Sequence, residues 1–342
     1  MKKYLVHTCY GIATLVFVSF ALIGLTRTPA NAEKPIIWRL NSNFAPTSLK
    51  AEAYRWLVES VERRTNGRLI IKPYFSASIG FKTDAGLTAL KNGLIELNEI
   101  VGGTTMGSEP ITSFGGLPFM FPDIYTAAWW RVNKLWPAYN RVLEQKGWKC
   151  RVVAEVQDPP IMFFSKKPLR SFEDFQGVKV RTWGGITMDA LKIIGMNPFS
   201  ISTSELYSAL QRGMVEASIT SYNSATEAHF WEVLEYVNKT ILSYQQSWLY
   251  MSTNAYDALP SDIQEELNRC LVDFENLGCR RLLVDTYTLE KILTDHGMKV
   301  IYPEPGITGK MAKMCKEAGL YRKFGDQAGP EAIELLKELD LY

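Results

Sequence analysis

Among residue types able to do acid–base, nucleophilic or metal chemistry, the 342-residue chain has only three histidines and five cysteines. It contains no GxSxG elbow, no HExxH, no GxxxxGK[ST] loop and no GxGxxG after a strand. Beyond the N-terminal leader described below, only His229 and His296 remain, too few for a histidine-based metal site without carboxylate help. Each reads as an ordinary surface or core histidine, so no catalysis, metal or cofactor is expected. The residue that stands out is Arg181. In Gly177-Val178-Lys179-Val180-Arg181-Thr182 the alternation puts Val178 and Val180 on one face and leaves Arg181 at the carboxyl end, facing the other way. Its planar guanidinium can hold a carboxylate through two parallel hydrogen bonds, which lysine cannot. The same pattern alone also suits a solvated arginine at a strand end.

The elements that must position Arg181 alternate along the chain. Strand runs at 36–40 and 69–74 are each followed by helical spacing, through Leu49, Ala53, Trp56, Leu57 and Val61 and then through Leu87 and Leu90. Asn66-Gly67 and Asn92-Gly93 close those helices. Further strands are expected at 152–156, 161–164, 178–181 and 213–220, with helices through Met188, Leu191 and Ile194 and at 204–210. Such a βαβ rhythm gives an α/β fold with helices over a sheet that is at least partly parallel, and ligands bind in the crevice beyond the carboxyl ends of its strands. Gln157-Asp158-Pro159-Pro160 marks the first crossing between lobes. Between Ser261 and His296 a capping-box pattern, Ser261 with Gln264, precedes an apolar stripe. Some 35 residues span about 50 Å, long enough to bridge two lobes; a break near Gly278 is the alternative. Trp129, Trp130 and Trp136, at helical spacing, read as packing, and Glu109 and Asp158 as solvated loop residues.

Residues 1–32 read as a secretory signal: Lys2 and Lys3, the apolar run 11–25, then Ala30-Asn31-Ala32 for cleavage. The run is short of the roughly 20 residues that span a bilayer, and no long apolar stretch follows, so the mature chain is expected in the periplasm with no membrane span of its own. Lys2, Lys3 and Arg27 leave with the leader, so 35 basic and 36 acidic residues remain, a formal charge of −1. No broad basic field exists for nucleic acid. Export permits disulfides among Cys150, Cys270, Cys279 and Cys315, or four buried thiols. Cys270 and Cys279 are about 13 Å apart on opposite faces of one expected helix and cannot pair together.

Residues 205–217, ELYSALQRGMVEA, preceded by 177–181, resemble the periplasmic solute-binding proteins of tripartite ATP-independent periplasmic (TRAP) transporters, the DctP type. Thr65-Asn66-Gly67-Arg68, GGLPFMFP at 115–122, Phe230-Trp231-Glu232-Val233 and Leu259-Pro260 extend the resemblance over essentially the whole mature chain. The resemblance implies a two-lobed periplasmic binding protein-like fold, with mixed sheets flanked by helices and a long helix bridging both lobes. Lobe I is expected at 33–157 and 247–286, and lobe II at 158–246 and 287–342. It also implies a receptor that closes on a small organic acid anion and delivers it to TRAP membrane permease subunits. C4-dicarboxylates, 2-oxo acids, sugar acids and aromatic acids all remain open. The alternatives are a ligand-presenting partner of a sensor kinase, or a hydrolase or lyase on the same scaffold.

In this family the arginine of the strand that Arg181 matches contacts the ligand carboxylate, and Asn41 matches an asparagine of the first loop. Departures bear on the ligand. Ile161 stands where sialic-acid-binding members carry a second arginine, Thr220 where many members have asparagine, and Thr203 replaces a stacking aromatic, so sialic acid is a poor fit. Gly102, Gly103 and Thr104 follow a strand whose end faces the crevice. Trp183, Tyr222, Asn223 and Trp248, read as following strand ends, complete the expected ligand-binding set.

Overall fold

The computed structural model describes residues 34–342 apart from 83, 84 and 158. The expected leader, Asp158 and the side chains of Thr203 and Cys279 lie outside the described residues. β1 (Ile36–Asn41), α1 (Leu49–Arg64), β2 (Leu69–Tyr74), α2 (Ala85–Lys91) and β3 (Leu97–Val101) follow the expected alternation. A 3-10 turn, Pro110–Gly116, leads to α3 (Ile124–Trp130), which continues through a π-helical segment, Arg131–Leu135, into α4 (Trp136–Gln145) and β4 (Cys150–Gln157). Next come β5 (Ile161–Ser165), β6 (Lys179–Thr182), α5 (Gly185–Ile193), β7 (Asn197–Ser200), α6 (Thr203–Gln211), β8 (Ala217–Thr220), α7 (Tyr222–Glu227) and β9 (Tyr236–Ser243). β10 (Gln246–Ser252), α8 (Thr253–Asp257), α9 (Ser261–Asp295), β11 (Lys299–Ile301), α10 (Ile307–Glu317), α11 (Leu320–Ala328) and α12 (Pro330–Glu338) complete the chain.

The strands form two sheets, ordered β2-β1-β3-β10-β4 and β11-β9-β5-β8-β6-β7. Both are mixed: β1 runs parallel to β2 and β3, whereas β10 runs antiparallel to β3 and β4. In the second sheet β6 is parallel to β7 and β8, and β5 is antiparallel to β8 and β9. The chain crosses between sheets three times, from Gln157 to Ile161, back from Ser243 to Gln246, and again from Ser252 to Lys299 through α9. The fold is two-lobed α/β, one sheet per lobe. Every residue of β10 is buried, so its apolar and polar positions do not alternate and sequence patterning missed it.

α9 is one unbroken helix of 35 residues. Ile263, Leu267, Cys270, Leu271 and Phe274 pack into the core under the first sheet, while Leu293 packs into the core under the second. The stripe therefore serves two cores in succession, which is what makes the helix a bridge. Its start differs from the expected capping box. Pro260 is the N-cap, and Gln264 instead donates to the Tyr256 and Leu259 carbonyls at 2.9 and 3.2 Å. At mid-length Glu275 joins a buried ionic cluster. Arg131 Nε lies 2.6 Å from Glu155 Oε2, Arg131 Nη2 lies 3.7 Å from Glu275 Oε1, and Glu275 Oε2 accepts from the Glu155 amide at 2.7 Å. α11 leans on both lobes: Phe324 meets Phe114 edge-on, Tyr321 donates to the Pro118 carbonyl, and α11 also packs on α5.

Other expectations change on contact with the structure. Trp129 is 54% exposed, and with Tyr125 and Val132 forms an outward stripe, so it is not packing. Glu109 is fully buried, holding Lys146 Nζ at 2.8 Å and Trp148 Nε1 at 3.0 Å, so it is not solvated. His229 and His296 stack on Trp231, with ring centroids 4.7 and 4.1 Å away. Cys150, Cys270 and Cys315 are buried free thiols, and burial pushes Cys150 and Cys315 up to about 12. Among the described residues no helix is long and apolar enough to cross a membrane, and no cluster of three or more His, Cys, Asp or Glu residues is arranged to hold a metal.

Candidate ligand-binding site

The carboxyl ends of β3 and β6 face one another across a cavity of about 280 Å³. Gly102, Gly103, Met106 and Leu117 form its wall on the first lobe, and Trp183 to Thr187 form the wall on the second. Ser243 and Gln245, at the second crossing, close one end, and Phe324 of α11 lies against it. Trp183 is 46% exposed because the turn beneath it is tied elsewhere: Thr187 Oγ1 lies 2.9 Å from Thr182 Oγ1 and donates to the Gly184 carbonyl at 2.6 Å. That turn needs glycine, since Gly184 and Gly185 have φ of +99° and +60°.

Arg181 sits at the carboxyl end of β6, paired in register with Phe199 and Ser218. It is only 6% exposed, and Nε donates to the Ile201 carbonyl at 2.8 Å. Burial pushes the guanidinium pKa below its usual value, though never near neutrality. The bond to Ile201 fixes the plane of the guanidinium. Thr220 ends β8 and is almost wholly buried.

Of the remaining expected residues, Gly103 and Trp183 share the cavity of about 280 Å³. Asn223 lines a smaller one of about 30 Å³ with Lys50, Pro159, Arg281 and Asp285. Three others turn away from it. Asn41 donates to Asn98 Oδ1 at 2.7 Å and to the Phe81 carbonyl at 2.8 Å, so its amide protons serve the first lobe. Tyr222 is fully buried and donates to Glu290 of α9, which also takes Lys239. Trp248 does not follow a strand end: it lies within β10, fully buried, edge-on to Trp136 and Tyr139 at 5.9 and 5.5 Å. As a central strand covered on both faces, β10 cannot offer that indole to a crevice. Thr203 opens α6, and its side chain lies outside the described residues.

Sequence reading missed two charged residues at the first lobe's strand ends. Glu99 of β3 is fully buried and accepts from Ser42 Oγ at 3.2 Å and the Asn43 amide at 3.3 Å. Lys50 of α1, also buried, donates to Ser247 Oγ at 2.6 Å and lies 3.8 Å over the Phe44 ring. The available signal was the pair Asn98-Glu99 inside an otherwise apolar strand, since polar groups are buried only where they are bonded.

The description "Bacterial extracellular solute-binding protein, family 7" matches residues 40–325. The C4-dicarboxylate-binding periplasmic protein DctP of Rhodobacter capsulatus is 23% identical over 262 residues, 74% of this chain and 77% of that protein. A TRAP periplasmic solute-binding protein of Ochrobactrum anthropi, 18% identical, superposes with a TM-score of 0.80 over 90% of this chain and 95% of its own. One from Sulfitobacter, solved with bound β-D-galacturonate, is 20% identical with a TM-score of 0.73 over 90% and 99%. The chain belongs to family 7 of the bacterial extracellular solute-binding proteins, the DctP family.

Proposed function

We propose that this protein is the extracytoplasmic receptor of a TRAP transporter. It takes a small organic carboxylate between its lobes and delivers it to the membrane permease. The carrying observation is Arg181, a buried, oriented guanidinium near the carboxyl end of β6, the strand whose following turn walls the cavity. A carboxylate meeting a guanidinium fork pairs two oxygens with two N–H groups, which is the geometry this reading assigns to Arg181. The names of two relatives support an acid: one is called C4-dicarboxylate-binding, and one holds galacturonate. In this reading the lobes are 33–157 with 247–286, and 158–246 with 287–342. They hinge where the chain crosses between the sheets.

Isothermal titration with the acid that most raises the melting temperature tests the anchor. Arg181→Ala removes one partner of a buried charge pair, a loss of about 2–5 kcal/mol, or at least about 30-fold in affinity. Arg181→Lys keeps the charge but loses the fork, and is expected to fall between the two. Unchanged affinity in Arg181→Ala removes the anchor role.

A further inference from the structure

We infer that the acid is one with an apolar, ring-sized body rather than a polyhydroxylated one; this rests on the carboxylate-receptor reading above. The cavity beyond the end of β6 is walled by Met106, Leu117, Trp183, Ile186 and Phe324. Trp183 is two residues beyond Arg181, no more than about 7 Å between Cα atoms, so in this reading the body of an acid held by Arg181 lies on the side of that wall. The volume of about 280 Å³ is nearly twice the roughly 150 Å³ apolar cavity that accommodates benzene. It suits a ring with a short acid side chain.

The polar groups of the walls point the same way. Ser113 Oγ accepts the Gly103 amide at 3.1 Å, and the Thr187 hydroxyl is shared between Thr182 and the Gly184 carbonyl. Ser243 and Gln245 at the crossing are left to meet ligand hydroxyls. A hexuronate buried here strands several hydroxyls without partners, whereas a hydrocarbon ring strands none. Glycines make the slot flat: a Cβ built on Gly103, Gly116 or Gly185 meets nothing within 4 Å. The slot thereby offers room for a planar or chair-like ring against Trp183.

Titration calorimetry with phenylacetate, cyclohexylacetate, phenylacetamide and D-galacturonate tests the inference. It uses the wild type, Trp183→Ala and Gly116→Val. Gly116 is free of the left-handed backbone region and its Cβ enters open space, so valine narrows the slot without strain. Circular dichroism melting confirms that each variant folds. Both apolar acids are expected to bind at least tenfold more tightly than galacturonate, and each variant to weaken them at least tenfold. Galacturonate binding as well as or better than both acids overturns the inference and leaves the receptor reading standing. Unchanged phenylacetate affinity in both folded variants does the same. Phenylacetamide binding as tightly as phenylacetate overturns the carboxylate anchor, and the inference falls with it. Failure of both apolar acids to bind overturns the inference.

Discussion

At the start of α3 one carboxylate decides where the helix begins. Asp123 accepts from the Thr126 amide at 2.8 Å and from the Thr126 hydroxyl at 3.0 Å, and the amide bond is the main reason its pKa falls below 3.8. A depressed folded pKa means stability present above 3.8 and lost as the pH falls through the folded value. Asp123→Ala is expected to cost about 1 kcal/mol at neutral pH. Urea titrations at several pH values should show that difference shrinking once wild-type Asp123 protonates. Single residues of this kind differ in how far sequence reveals them. The place of Arg181 near the end of its strand was legible because the valines around it alternate. Trp183 and Trp248 are the same residue in similar-looking contexts, yet one faces a cavity and the other is sealed in a central strand. Only strand order separates them, and strand order is a long-range property.

The bridging helix is the element whose sequence signal was strongest, because 35 residues give the apolar period many turns in which to repeat. Gly278 suggested a break, but the helix passes through it. A Cβ there meets the Glu155 carbonyl at 3.5 Å, an ordinary contact. Gly278→Ala is therefore expected to stabilise the protein by about 0.5–1 kcal/mol, read as a higher urea midpoint. The nearby ionic cluster behaves oppositely. Arg131 and Glu155 are both almost wholly buried, so Glu155→Ala takes from the guanidinium its carboxylate at 2.6 Å and is expected to cost about 3–5 kcal/mol by the same assay. Nothing local announced that cluster: its three members come from a π-helical segment, a strand and a distant helix.

On the scale of the whole molecule, the formal charge of −1 expected once residues 1–32 are removed offers no long-range attraction for an anion. Ligand association followed by tryptophan fluorescence in stopped flow is expected to change by less than about twofold between low and high salt, since the proposed capture uses one enclosed arginine. The lobed architecture was legible from the alternation of strands and helices. The position of β10 was not, and it has a kinetic consequence. That strand fills the gap between β3 and β4, so a sheet begun near residue 36 stays open until residue 252 has been made. Pairings so distant in sequence are slow to form. A chain ending at residue 245 therefore lacks the strand that joins β3 to β4, and its first sheet is left in two pieces.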